Sequence, residues 1–214
     1  MAKRRVRWWW IALPVAIVVL VPVAVFGIPV LTHVDGGIST PEPVATPWPQ
    51  SVTAVGDDGR TRELMVVAAT PGAEVDTSVL AEGDQIVVSG SGYNTAQGIY
   101  VAVCVIPSSP TEKPGPCLGG VPSSDGEEVA EGTIQFAPSN WINDDWAWKL
   151  FGARAYDDAA TGTFTAYLEI TDPVGDGIDC TVSECGIFTR NDHTALKDRV
   201  QDLYIPVAFA SVVD

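Results

Sequence analysis

Thr163-Phe-Thr-Ala-Tyr-Leu-Glu-Ile-Thr171 is the stretch that decides the fold. Phe164, Ala166, Leu168 and Ile170 fall on one side of it, and Thr165, Tyr167 and Glu169 on the other. A strand sends successive side chains to opposite faces, so this pattern predicts a strand with one face buried. A helix would need its apolar residues three and four positions apart. Outward from this stretch the same signal repeats in short runs. Leu64 to Thr70 is apolar and ends at Pro71-Gly72; Gln85 to Ser89 ends at Gly90 and Gly92. Ile99 to Ile106 carries Cys104, Gly186 to Thr189 is shorter, and Leu203 to Phe209 closes the set. Short strands punctuated by Gly, Pro and Asp, with almost no helical period, predict an all-β sandwich over residues 64–214.

Upstream the chain changes character. Trp8 to Leu31 reads WWWIALPVAIVVLVPVAVFGIPVL and holds no charge. As one helix it would be ~36 Å long, against a hydrocarbon core of ~30 Å. Lys3, Arg4, Arg5 and Arg7 precede it, and the first charge after it is Asp35. Basic flanks stay cytoplasmic. The expectation is a cytoplasmic tail at 1–7, one transmembrane helix at 8–31 and an extracytoplasmic remainder: a single-pass protein of the cell membrane. The apolar run exceeds the ~7–15 residues of a signal-peptide core, and no clean small-x-small cleavage site follows it. Pro14, Pro22 and Pro29 suit a kinked span packed on partner helices. Residues 32–63, with Gly36-Gly37, Pro41, Pro43, Pro47 and Pro49, read as an extended tether.

The net charge is −15, and beyond the apolar run eight Lys and Arg face 27 Asp and Glu, a balance of −19. So acidic a domain is a poor partner for nucleic acid, whose phosphates need Lys and Arg. Cys104, Cys117, Cys180 and Cys185 all follow the apolar run, and an even count in an exported domain predicts two disulfides. Three connectivities are open, of which local pairing is the simplest. None of the spacings is C-x-x-C and the chain has two His, so neither a zinc site nor any other cofactor is expected.

These residues resemble a known family. Val87-Val-Ser-Gly-Ser-Gly-Tyr93, then Tyr100-Val101-x-x-Cys104 and Cys117, is similar to the first half of the neocarzinostatin-like proteins. Gly162-x-Phe164, Leu168-x-Ile170, Asp179-Cys180-Thr181 with Cys185, and Ile205-Pro-Val-Ala-Phe209 are similar to the second half. The resemblance covers roughly Val66 to Ala210. It implies an actinobacterial immunoglobulin-like sandwich and supports the pairs Cys104–Cys117 and Cys180–Cys185. Thr189 to Thr194, with Asp198-Arg199 and Gln201-Asp202, also resembles sandwich domains of actinobacterial surface proteins, some associated with haem uptake. Two departures matter. The antibiotic-binding members are secreted free, and the segment between Cys117 and Gly162 is longer here. No ligand-contacting residue carries over, so ligand binding is not inherited from the fold.

The insertion, at about 118–161, holds the partner-interface candidates Trp141, Trp146, Trp148 and Phe151. Aromatic side chains on a loop are the usual anchors of an interface, although they can equally cover an open end of their own sandwich. His193 beside Asp192 hints at acid–base chemistry, but no G-x-S-x-G elbow accompanies it. Asp172, Asp176 and Asp179 form a loose acidic loop that misses the EF-hand spacing. Arg190, Asp192, Asp198, Arg199 and Asp202 could form an ion-pair network. With no catalytic residue, cofactor or metal site expected, the sequence reads as a non-enzymatic accessory subunit of a larger integral membrane complex. In the actinobacterial setting that the resemblance implies, the respiratory oxidase assembly is one candidate. The alternative is an envelope protein binding a small molecule or haem in the sandwich cleft.

Overall fold

The computed structural model describes residues 9–22, 27–120 and 134–210. The chain divides into two units, residues 1–34 and 35–214. In the first, α1 spans Trp9–Pro22 and α2 spans Ile28–Thr32. Pro29 lies in the first turn of α2, where a missing N–H costs least. Neither described helix is long and apolar enough to cross a membrane. The basic tail at 1–7, together with Trp8 and residues 23–26 of the expected span, lies outside the described residues.

The second unit is all-β, with two antiparallel sheets packed face to face. One has five strands in the order β1 (Ser39–Pro41), β2 (Ser51–Gly56), β3 (Thr61–Ala68), β4 (Gln85–Ser91) and β7 (Phe164–Glu169). The other has four in the order β11 (Leu203–Val207), β10 (Cys185–Asn191), β5 (Ile99–Val105) and β6 (Ser139–Ile142). A small ribbon pairs β8 (Val174–Gly175) with β9 (Ile178–Asp179). The alternating stretch at 163–171 forms β7, with Phe164, Ala166 and Leu168 fully buried. They meet Ile99, Val101 and Ile187 from the opposite sheet in one core.

The sandwich begins earlier than expected. Residues 32–63 are not one continuous spacer, because Ser39–Pro41 and Ser51–Gly56 are strands and Thr61 opens β3. The reason is visible in β2, where Val52 and Ala54 alternate into the core and register against Leu64 and Arg62 of β3. The β2–β3 turn is held by a buried cation. Arg62 is fully buried, grips both carboxylate oxygens of Asp58 and lies 5.9 Å from the Tyr93 ring centre. Burial pushes the Asp58 carboxyl up, but the Arg62 hydrogen bond and charge outweigh that and leave it below its ordinary value.

Both disulfides are local, Cys104–Cys117 and Cys180–Cys185. The first ties the loop after β5 back onto the outer face of the four-stranded sheet. The second joins the segment after β9 to the start of β10. Asn140 links the two sheets along one side: its Nδ2 donates to Tyr167 O at 2.9 Å, and its Oδ1 accepts from Tyr167 N at 3.3 Å.

Candidate functional site

The insertion builds one feature. Chain 142–154 closes on itself, with Arg154 N donating to Trp141 O at 2.8 Å and Asn143 N donating to Arg154 O at 2.7 Å. Between these bonds lies α3, Trp146–Lys149. Asp145 caps it by accepting from Ala147 N at 2.9 Å, and Asn143 Oδ1 accepts from Asp145 N at 2.8 Å. Side-chain acceptors of this kind satisfy amides that a helix start leaves without partners. So short a helix is therefore fixed by its caps and by the chain crossing at its base rather than by its length.

The tryptophans divide by role. Trp141 lies on β6 opposite Tyr100 of β5 and is only 6% exposed. Its Nε1 donates to Asp192 Oδ2 at 2.9 Å. Trp148 is half-buried, with its ring centre 5.6 Å from Trp141 and 4.6 Å edge-on from His193. Trp146, Leu150 and Phe151 point outward, 68%, 72% and 56% exposed. Of the four residues expected at an interface, Trp146 and Phe151 are presented to solvent, Trp148 is half-presented and Trp141 supports them from below.

Asp192 is the hub beneath. It is fully buried and accepts from Trp141 Nε1, Asn143 Nδ2, Thr194 N and Thr194 Oγ1, all within 2.9 Å. Gly98 lies against it, and a Cβ there would run into the Asp192 carboxylate and the Asn143 amide. The carboxylate is spent on structure, and no hydrogen bond links it to the imidazole of His193. His193 Nδ1 meets Tyr100 Oη at 2.9 Å instead. Burial first, and then the nearby Asp192 charge, push the Tyr100 phenol up to about 12.

Tyr100, Trp141, Trp148, Phe151 and His193 wall an open pocket of about 340 Å³, with Lys113, Arg190 and Leu196 at its margins. That is the low end of ligand-pocket volumes, which run from about 300 to 1,000 Å³. A second pocket of about 280 Å³ lies on the same outer face, between Phe188, Tyr204, Asp202 and the proline-rich loop at Pro107 and Pro110. The space between the two sheets is filled by core side chains, so both hollows lie outside the sandwich rather than within it.

No protein-family model, curated protein or solved structure matches this chain. Its own geometry therefore carries the functional argument.

The remaining candidates resolve individually. Asp172 accepts from Val174 N, Asp179 from Thr181 N and Oγ1, and Asp176 from Gly119 N. Each thus serves its own turn or a neighbouring loop. Of the foreseen ion network, Arg199 Nη1 pairs with Asp202 Oδ2 at 2.8 Å, and Arg190 acts on Asp202 through its charge. Asp198 instead accepts from Gly36 N and Val200 N, and Arg190 donates to Pro114 O. Among the tyrosines, Tyr93 and Tyr156 are buried, with their hydroxyls bonded to Thr189 and Gln97, and burial raises both phenols. A tyrosinate grip on haem finds no support at those two positions. The run Asn191-Asp-His-Thr194 bonds within its own turn, Thr194 to Asp192, while sequence reasoning missed the roles of Gly98 and Asn143, which arise only where β5, β6 and that turn converge.

Proposed function

We propose that this chain is a membrane-anchored, extracytoplasmic interaction module that acts without catalysis as an accessory subunit of a larger integral membrane complex. We further propose that its sandwich is of the immunoglobulin-like, neocarzinostatin-like type. The observation that carries the docking reading is the exposure of Trp146, Leu150 and Phe151 together on one short, internally braced segment. Burying such residues against a partner is worth roughly 25 cal/mol per Å² of apolar area, and leaving them in water forgoes it. The rigid base matters as much, because a pre-organised anchor loses little entropy on docking. The anchor reading rests on the charge-free run Trp8 to Leu31 behind four basic residues. The absence of catalysis rests on Asp192 and His193, the one acid–base pair suggested by sequence, being directed to different partners.

Co-purification from the native host in mild detergent tests this reading. Stoichiometric recovery of a polytopic assembly, lost in Trp146→Ala with the melting temperature unchanged, is the expected result; the respiratory oxidase assembly is the first complex to look for. Recovery of the chain alone from well-solubilised membranes would sink it. The second reading, a small-molecule binder, is favoured by one observation, the aromatic pocket beside α3. A saturable change in tryptophan fluorescence or ligand-dependent melting would support it.

A further inference from the structure

In a domain with 27 acidic residues, the aromatic pocket carries two cations that no ion pair takes up among the described residues. Four of the eight Lys and Arg in residues 35–214 are spent in ion pairs: Arg60 and Arg62 with Asp58, Lys149 with Asp144, and Arg199 with Asp202. Lys113, Arg154, Arg190 and Lys197 form no ion pair among the described residues, and of these Lys113 and Arg190 line the aromatic pocket. Arg190 lies 5.6 Å from the Tyr100 ring centre and donates Nη1 to Pro114 O; it feels the charge of Asp202, whose own ion pair is with Arg199, and shares a neighbouring hollow with Asp176, which accepts from Gly119 N. The acids nearby are already engaged. Asp144 holds Lys149 and Tyr156 N, Asp145 caps α3, and Asp192 is saturated by three side chains and an amide. Burial first, and then the charges of Arg190 and Arg199, pull the Lys113 ammonium below its ordinary value, against the opposing pull of Asp202: three cations gather here around one carboxylate. Phe151 and Leu196 line the same pocket, and Phe151 ends the segment that exposes Trp146 and Leu150; all four are at least half exposed.

We infer that this face docks a protein segment that carries an Asp or Glu carboxylate beside an apolar side chain. The apolar residue covers the Trp146–Phe151 segment, and the carboxylate enters the pocket between Lys113 and Arg190. The inference rests on the docking reading above and adds the chemistry of the partner. Charge complementarity of this kind also sets orientation, because the acidic remainder of the domain repels an acidic partner everywhere else.

The test is selection of random displayed peptides on the full-length chain held in maltoside micelles. The expected winners carry Asp or Glu next to Trp, Phe or Leu. The best of them, made synthetically, should lose about tenfold or more in affinity when its carboxylates become amides, and as much on Lys113→Gln. Lys113→Glu should weaken it further. Arg190→Gln should act in the same direction, but Arg190 is packed, so the part-exposed Lys113 is the decisive position. Selection of neutral or basic peptides would overturn the inference. So would binding that Trp146→Ala abolishes and Lys113→Gln leaves intact, although docking itself would then stand. If no selected peptide depends on Trp146, the docking reading falls as well. Self-association that Trp146→Ala abolishes would assign the face to a second copy and overturn the acidic partner.

Discussion

Asp192 gathers four donors in a place that water does not reach, and a buried donor left without an acceptor costs about 1–3 kcal/mol. Asp192→Ala removes the acceptor for Trp141, Asn143 and Thr194 together. The expected loss is about 3 kcal/mol or more, read as a melting temperature lower by ~6–12 °C. Trp146→Ala removes a ring that faces solvent and should stay within about 0.5 kcal/mol of the parent. If the two variants melted alike, the division between supporting and presented residues would be wrong. Asp202 gives a prediction in pH. Burial lifts its carboxyl from 3.8 to about 7, against the pull of Arg199, and its Oδ1 has no hydrogen-bond partner among the described residues. A raised acid binds its proton more tightly in the folded state than in the unfolded one. Its contribution to stability is therefore full below pH 3.8 and falls as pH rises toward about 7, where the folded protein must hold a buried charge. Asp202→Asn lacks this term. Relative to the parent, the variant should gain stability between pH 4 and pH 8, by an amount on the order of a few kcal/mol. A difference that stays flat across that range would mean that Asp202 ionises in the folded protein as readily as in the unfolded chain.

Among the elements, the loop from Ile106 to Pro116 floors one pocket and borders the other, and Cys104–Cys117 is what ties it down. Cross-linking stabilises by restricting the unfolded chain, and the effect grows slowly with the length of the loop closed. The thirteen-residue separation of Cys104 and Cys117 gives about 3 kcal/mol, and the five-residue separation of Cys180 and Cys185 about 2 kcal/mol. Replacing each pair by alanine, one pair at a time, should lower the melting temperature more for the first. Only the first should also weaken binding at the aromatic pocket. The same elements mark how far the sequence could be read. β3, β4, β5, β7, β10 and β11 were legible because their runs are apolar or alternate cleanly. β2 also alternates, but it follows a proline-rich stretch whose composition reads as linker until Val52 and Ala54 are seen in the core. β6 was hidden for a different reason. Its residues Ser139-Asn-Trp-Ile142 mix polar and apolar side chains that are all buried, because Asn140 bridges to the facing sheet and Trp141 leans on Asp192. No periodicity reports a polar side chain buried by pairing. The insertion was legible as a site by its tryptophans, but which of them faces outward depends on contacts with His193 and Tyr100, from strands and turns distant in sequence.

At the scale of the whole chain, charge and hydropathy are segregated: the apolar run comes first with basic residues before it, and every acidic residue comes after it. Read as an anchor with a cytoplasmic tail, this order fixes orientation, since Lys and Arg near a span resist translocation far more than Asp and Glu do. It also agrees with chemistry further along, because two disulfides in the second unit persist in an oxidising compartment and not in a reducing cytosol. On the proposed anchor reading, the basic flank and the paired cysteines agree on the extracytoplasmic side. An alkaline phosphatase fused after Asp214, itself dependent on disulfides for activity, should be active in cells. Replacing Lys3, Arg4, Arg5 and Arg7 with Gln should reduce that activity several-fold, and replacing them with Glu should reduce it further. The chain should also stay with the membrane pellet after alkaline carbonate washing, because an apolar segment of this length is held by burial rather than by surface charge. Activity together with full release into the wash would mean that the run is removed on export, leaving a free acidic sandwich, and the proposed docking face would then have to find its partner from solution. Residence in the pellet with an inactive fusion would place the sandwich on the cytoplasmic side and leave its disulfides without an environment that sustains them.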